Sequence, residues 1–316
     1  MLPPPTMELR EIARDVYACL QPDRGLGTSN SGLINRGGGL VVDTFWDLPH
    51  TRRLIEAYAR VWRSPARRVV NTHRNGDHCW GNQLFPEAEI IGHRLCAAQF
   101  TTERPEFMQT LRNAGSGDPA LAAFARALAD WDFSGIELRP PTTVFDDRLT
   151  LDLGGLEARL LYVGPAHTAG DVIVHLPAER VVFTGDILFR LCTPIGWEGT
   201  FERWSAALDA IIALDPAVIV PGHGPLCGLE GPREMKAYLE YVRAEAGRFF
   251  AAGLPLLEAA RRIDLGPYAG WTEPERIVFQ VERAYRELRG EPFDAPIDVT
   301  ALFGGMLTLR RERASG

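Results

Sequence analysis

The sequence feature that most constrains this chain is residues 71–78, which have the sequence NTHRNGDH and follow a short apolar run at residues 68–70. Three side chains that can bind divalent metals, those of His73, Asp77 and His78, fall within this segment. Zinc and similar ions prefer imidazole nitrogen and carboxylate oxygen, and a loop at the end of a strand can bring such donors together without helical spacing. The segment therefore predicts a metal site at the end of a buried strand.

Three further segments place a His or an Asp at the end of an apolar run. They are GPAHT with His167, TGD with Asp186 and PGHG with His223. Strand ends that meet at one edge of a fold can bring together side chains that are distant in the chain. Four such segments in this order indicate one shared metal centre.

In order and spacing, the four segments resemble the metallo-β-lactamase fold superfamily, whose signature is H-x-H-x-D-H, then a distant His, a Gly-Asp and a late His. The ligand positions that this resemblance implies are, for site one, His73, Asn75 and His167, for site two, Asp77, His78 and His223, and, as a bridge between the sites, Asp186. Asn75 departs from the signature, which has a second His there, and an amide oxygen is a weaker zinc donor than imidazole. We expect one or two zinc ions, or another divalent cation, with site two more complete than site one.

The pattern of apolar runs predicts an α/β fold, a four-layer αββα sandwich with the ligands along one edge of two sheets. Residues 30–43 predict a hairpin, Pro49 a helix start, and residues 143–186 a second, antiparallel-rich sheet. The sandwich is assigned to residues 1–231, with a helical insertion at 97–140. Residues 232–316 predict a helical C-terminal extension packed on this core.

Composition excludes several classes of partner. The net charge is −7 and Lys236 is the only lysine, which argues against nucleic-acid binding. No apolar run approaches the ~20 residues that span a bilayer, so we expect no membrane partner. Residues 1–6 lack a basic region before an apolar one, and five cysteines without a CxxC pair fit reduced thiols, so a cytoplasmic location is expected. The oligomeric state stays open, with a homodimer as one alternative.

The insertion lies between the first metal-binding segment, residues 71–78, and the segment that contains His167, where it would overhang the cleft. Its apolar side chains predict a substrate lid with contacts from Phe107, Met108, Phe124 and Trp131, although the stripe can also be read as core. Arg74 lies beside the site and can pair with an anionic group of the substrate. A solvated surface arginine is the alternative for this residue.

Two residues are assigned catalytic roles. A bound divalent cation lowers the pKa of water to about 7 and polarises a carbonyl group. Asp77 is expected to orient or deprotonate the attacking water in addition to binding metal. Asn75 is expected to donate an amide N–H to a developing oxyanion, a contact whose removal costs ~2.7–4 kcal/mol in a serine protease.

Longer segments resemble a narrower group, the metallo-β-lactamase-fold cyclase/thioesterases of aromatic polyketide pathways. The similar segments are residues 135–141, 163–168, 221–225 and 257–265, so the resemblance includes the helical tail. It implies aldol cyclisation with dehydration, thioester hydrolysis, or both, on an acyl-carrier-bound polyketide or a small molecule. That group has the complete signature, so Asn75 sets this chain apart from it.

Two other functions are compatible with the sequence. One is a generic thioester, lactone or β-lactam hydrolase of the same fold. The other is a non-catalytic binding protein with an impaired metal site, suggested by the loss of one ligand at Asn75. The presence of all the other ligand positions argues against this last alternative.

Overall fold

The computed structural model describes residues 7–22, 25–114 and 119–315, in which the strands form two sheets. In the first sheet, strands that follow one another in the chain are neighbours: β1 (Glu8–Ala13), β2 (Val16–Leu20), β3 (Ser31–Ile34), β4 (Leu40–Val42), β5 (Arg68–Val70), β6 (Glu89–His93) and β7 (Thr143–Phe145). Strands β1 to β4 pair antiparallel, and β4 to β7 pair parallel. The predicted hairpin at residues 30–43 is confirmed by the pairing of β3 with β4.

The second sheet has the spatial order β12-β11-β10-β9-β8. Its strands are β8 (Arg148–Asp152), β9 (Glu157–Tyr162), β10 (Val172–Leu176), β11 (Val181–Phe183) and β12 (Val218–Val220). All of its pairs are antiparallel except β11 with β12. The prediction that residues 143–186 lie in one sheet is wrong for β7, which pairs with β6 in the first sheet. A bend at residues 146–147 carries the chain from the first sheet to the second. The alternation of apolar residues predicts strands but does not indicate which sheet each strand joins.

The helices of the described residues lie mostly outside the two sheets. They are α1 (Leu48–Tyr58), α2 (Gly76–Cys79), α3 (Arg94–Gln99), α4 (Pro105–Arg112), α5 (Pro119–Ala127), α6 (Phe201–Ala213), α7 (Glu230–Ala251), α8 (Leu256–Arg262), α9 (Ile277–Leu288) and α10 (Val299–Ser315). Pro49 lies in the first turn of α1, and the Asp47 carboxylate caps this helix by accepting the N–H of His50. None of the helices described is long and apolar enough to cross a membrane.

Alternating side chains give each sheet two apolar faces. In β5, Val70 packs between the sheets with Val174, whereas Val69 packs on the outer face with Leu54 of α1. The outer face of the second sheet packs in the same way, since Val182 lies in one cluster with residues of α6 and α7. The two sheets therefore face each other and helices cover their outer faces, which confirms the predicted αββα sandwich.

The predicted insertion and extension both contain helices. The insertion at 97–140 contains α4 and α5, and its residues 115–118 lie outside the described residues. The extension contains α7 to α10, and Met235 and Tyr238 of α7 are buried in one cluster with Trp204 of α6. The division of the chain at residue 231 stays a prediction, and α7 itself begins at Glu230.

Loops from both sheets meet at one edge of the sandwich. The backbone N–H of Val172 donates to the Thr72 carbonyl over 2.8 Å, which joins the start of β10 to the end of β5. The N–H of Asn30 donates to the Gly222 carbonyl over 2.8 Å, which joins the start of β3 to the end of β12. The segments with the predicted ligands are therefore neighbours at this edge.

Candidate metal centre

Asp186 lies at the centre of the predicted ligands. Its carboxylate oxygens lie 3.1 Å from His78 Nε2, 3.2 Å from His223 Nε2, 3.4 Å from His167 Nε2 and 3.8 Å from His73 Nε2. Ligands about 2.1 Å from a tetrahedral ion lie about 3.4 Å apart. The observed separations therefore suit donors that share metal ions, and the bridging role of Asp186 stays a prediction.

The donors form two groups, of which the second has the residues predicted for site two and the first has Asp186 with the two histidines predicted for site one. His73, His167 and Asp186 form one, and Asp77, His78 and His223 form the other, each with its donor atoms within 4.8 Å of one another. Asp77 Oδ2 lies 3.4 Å from His223 Nε2 and 3.7 Å from His78 Nε2. The Asp77 side chain is 15% exposed and the histidines are nearly fully buried, so Asp77 lies on the open side of the centre.

Hydrogen bonds at Nδ1 turn the Nε2 atom of each imidazole toward the centre. The Nδ1 partners are Thr72 Oγ1 for His73 (3.0 Å), Asp43 Oδ2 for His78 (2.9 Å), the Ile195 carbonyl for His167 (2.7 Å) and the Thr28 carbonyl for His223 (3.3 Å). Donation from Nδ1–H leaves a lone pair on Nε2, which is the form that binds metal. His73 Nε2 is buried and has no hydrogen-bond partner among the described residues. The donor set therefore fits a divalent cation.

Asp43, which the sequence reasoning missed as a site residue, holds two of these histidines. Its Oδ1 accepts the backbone N–H of Thr72 over 2.7 Å, and its Oδ2 accepts the Thr72 hydroxyl over 2.7 Å and His78 Nδ1–H over 2.9 Å. The Thr72 hydroxyl in turn lies 3.0 Å from His73 Nδ1. One buried carboxylate thus orients a histidine of each site.

The two sites differ in the protonation of their histidines. Burial lowers the pKa of His73 well below its usual value and that of His167 to about 4. Burial also acts to lower the pKa of His78 and His223, but neighbouring carboxylates, chiefly Asp186, raise the first well above its usual value and the second to about 9. Because neutral imidazole binds metal, an ion that entered site two would displace protons from its histidines, whereas the imidazoles of site one are already neutral at pH 7.

The Asn75 side chain does not turn its amide N–H toward the metal centre, as an oxyanion donor would have to. Its Oδ1 lies 2.7 Å from His167 Nε2, so the oxygen faces site one. Its Nδ2 donates to a carboxylate oxygen of Glu103, on the side away from His167. Asn75 therefore presents an acceptor to the metal centre, and its catalytic role stays a prediction.

Arg74 is neither exposed nor solvated. Its side chain is 10% exposed, its guanidinium lies 3.1 Å from Glu103 Oε1 and 3.3 Å from Glu198 Oε1, and its Nε donates to Gln99 Oε1 over 3.2 Å. The alternative of a solvated surface arginine is wrong, because both carboxylates come from loops that fold over the motif. Contact between Arg74 and an anionic substrate stays a prediction. Such a substrate competes with Glu103 and Glu198 for the Arg74 guanidinium.

The predicted lid residues are of two kinds. Phe107 is 58% exposed and Met108 is half-buried on α4. Phe124 and Trp131 are buried, and Trp131 packs edge-on against Trp46 with ring centroids 5.4 Å apart. Substrate contact stays a prediction for all four, and the two buried rings also form part of the core, which was the alternative interpretation of this stripe.

Comparisons with known proteins agree with this geometry. A model of the metallo-beta-lactamase superfamily matches residues 24–223 of the 316-residue chain. The chain belongs to this superfamily. The matched region ends at His223, so it contains every predicted ligand and stops before α7.

The curated relatives of this chain are named for different activities. A linear primary-alkylsulfatase from Pseudomonas sp. (strain ATCC 19151) is 26% identical over 268 residues, which are 74% of this chain and 50% of that protein. A hydroxyacylglutathione hydrolase from Acidiphilium cryptum (strain JF-5) is 35% identical over 118 residues, which are 34% of this chain and 46% of that protein. The chain spans about half the length of these curated relatives.

A solved structure shares the fold over nearly the whole chain. The stereoselective inverting sec-alkylsulfatase Pisa1 from Pseudomonas sp. matches with a TM-score of 0.63 and 18% identity, over 98% of this chain and 56% of that one. The match therefore extends through the C-terminal helices, beyond the end of the family model. At this identity it shows a shared fold.

Replacing Asn75 by histidine (N75H) tests the assignment of this residue to site one. An imidazole at this position restores the superfamily signature and is a stronger zinc donor than an amide oxygen. We expect metal content to rise towards two ions per chain, measured by elemental analysis of protein purified without chelator. Unchanged stoichiometry in the folded variant would count against Asn75 as a site-one residue.

Proposed function

We propose that this protein is a metal-dependent hydrolase that acts at a carbonyl group. The observation that carries this proposal is the arrangement of four imidazole Nε2 atoms around the Asp186 carboxylate, with each Nδ1 directed at an oxygen atom. A divalent cation held by these donors lowers the pKa of water to about 7 and polarises a substrate carbonyl.

Asp77 supplies the proton transfer in this proposal. Burial acts to raise the pKa of its carboxyl, but the nearby His78 and His223 outweigh this effect and lower it. The carboxylate is therefore ionised at neutral pH and can accept a proton. It is also the ligand on the open side of the centre, where it can orient a water that approaches the substrate.

The narrower proposal is a cyclase or thioesterase that acts on an acyl-carrier-bound polyketide. Four segments of the chain resemble that group, and aldol closure and thioester hydrolysis both begin at a polarised carbonyl. A relative whose name gives an acylated glutathione as its substrate also supports a thioester. The C-terminal helices do not distinguish this role, because a sec-alkylsulfatase shares the fold throughout that region.

A sulfate-ester hydrolase is the second candidate, and the two alkylsulfatase matches favour it. A sulfate ester carries a negative charge, so its hydrolase benefits from a cationic side chain beside the metal centre. The arginine within the motif, Arg74, is already paired with Glu103 and Glu198. This pairing favours a neutral carbonyl substrate over a sulfate ester.

Metal content and a substrate panel test the proposal together. We expect at least one ion per chain after purification without chelator, loss of turnover after chelation, and recovery when zinc is restored. Among an aryl thioester, a lactone, a cephalosporin and an alkyl sulfate, we expect the thioester to be hydrolysed with the highest kcat/KM. Protein that holds no metal would support the non-catalytic binding protein instead, and a preference for the alkyl sulfate would support the second candidate.

A further inference from the structure

Glu103 contacts the metal-binding motif from outside the superfamily signature. It lies in the turn between α3 and α4, at the start of the insertion. Its carboxylate accepts a hydrogen bond from Asn75 Nδ2, accepts the backbone N–H of Gly76 over 3.0 Å, and lies 3.1 Å from Arg74 Nη1. Both of its oxygens are therefore engaged with three consecutive residues of the motif.

These contacts select one of the two orientations of the Asn75 amide. A carboxylate only accepts hydrogen bonds, so Glu103 favours the orientation in which the amide nitrogen faces it. The amide oxygen is then turned toward His167 Nε2, 2.7 Å away. The reverse orientation would place an oxygen against the carboxylate and an N–H against His167.

His167 shows why this choice of orientation matters for metal binding. Its Nδ1–H donates to the Ile195 carbonyl over 2.7 Å, so in the neutral imidazole Nε2 carries a lone pair. That lone pair and the Asn75 oxygen are two acceptors 2.7 Å apart, closer than the about 3.4 Å between two ligands of one ion, so they would have to separate slightly to share a cation. In the reverse orientation the amide N–H would donate to Nε2 and occupy the lone pair that an ion needs.

We propose that Glu103 is a positioning residue that keeps the Asn75 oxygen turned into site one. Asn75 then joins the donors His73, His167 and Asp186 at that site, in place of the imidazole that the signature expects. This inference rests on the metal dependence proposed above. It adds that the insertion, through Glu103, decides whether site one is open to an ion or blocked by an amide.

The test is a zinc titration of metal-free protein in competition with a chromophoric chelator, which gives separate Kd values for a first and a second ion. Without Glu103, in E103A, the amide can adopt both orientations. We expect the second-ion Kd to rise about 10- to 100-fold, the usual effect of removing a group that orients a metal ligand. The first-ion Kd, which reports site two, should stay at the wild-type value and show that the variant is folded.

A double-mutant cycle distinguishes action through Asn75 from a general effect of the insertion. In N75A neither amide orientation exists, so adding E103A should leave the second-ion Kd of N75A unchanged. E106A removes an exposed carboxylate of the same insertion and should match wild type. The proposal would be overturned if E103A had the same second-ion Kd as wild type. It would also be overturned if E103A raised the second-ion Kd as much in the N75A background as it does in wild type.

The titration also separates this inference from the proposed function. Wild-type protein that binds one ion tightly and no second ion at any zinc concentration overturns the role of Asn75 and Glu103, while metal dependence stands. Wild-type protein that binds no ion refutes the proposed function itself. Two ions with the predicted response to E103A support both.

Discussion

Replacing Asp77 by alanine (D77A) is expected to abolish turnover. The change removes the carboxylate that groups with His78 and His223 and leaves these two histidines, with Asp186 beside them, to hold an ion there. It also removes the group that we assign to proton transfer. Loss of a positioned general base alone lowers rates about 10²–10⁴-fold, and weakened metal binding adds to this.

Measurement of kcat/KM on the best substrate of the panel, with metal content determined on the same sample, checks this expectation. D77N separates the two contributions, because its amide oxygen can still bind metal weakly but cannot accept a proton at neutral pH. Asp130 is an exposed carboxylate in the insertion, and D130A should retain wild-type turnover. Activity in D77A comparable with that of D130A would contradict the assigned mechanism.

The placement of ligands at strand ends explains how much of this centre could be predicted from the sequence. An apolar run followed by a His or an Asp marks the point where a strand leaves the core, and such points share an edge of the sandwich. Asp43 follows the apolar run of β4 in the same way, so the rule that selected Asp186 also selects Asp43. It was missed because no His or Gly accompanies it, and acidic residues are common in loops after strands.

Other parts of the centre leave no local pattern. Arg74 pairs with Glu198, which is 124 residues away, and Glu103 lies in a turn without periodicity. Contacts of this kind depend on how loops from distant parts of the chain fold over the motif. Sheet membership is similar, because β7 has the same alternation as the strands of the second sheet and only its pairing with β6 assigns it. Residue pattern predicts elements and strand ends well, and side-chain partners across loops poorly.

Replacing Asp43 by asparagine (D43N) is expected to impair metal binding and stability together. The wild-type carboxylate accepts the Thr72 N–H on one oxygen, and the Thr72 hydroxyl and His78 Nδ1–H on the other. An amide of the same shape has only one accepting oxygen. If its nitrogen faces Thr72 N–H, a buried donor is left unsatisfied, which costs about 1–3 kcal/mol of unfolding free energy. If its nitrogen faces His78, the imidazole must move its proton to Nε2, where it prevents metal binding.

The expected metal affinity of D43N is about 10- to 100-fold lower than that of wild type, as for other residues that orient a metal ligand. Asp47 provides a matched control, because it is equally buried and also accepts three hydrogen bonds. The donors are the backbone N–H of His50, the ring Nδ1–H of His50 and the backbone N–H of Asp132. D47N should therefore lower the free energy of unfolding, measured by denaturant titration, and leave the zinc Kd unchanged. If D43N behaves as D47N does, with lower stability and unaltered zinc binding, Asp43 supports the fold alone. A loss of zinc affinity confined to D43N establishes that the tautomer of His78 is set by this carboxylate.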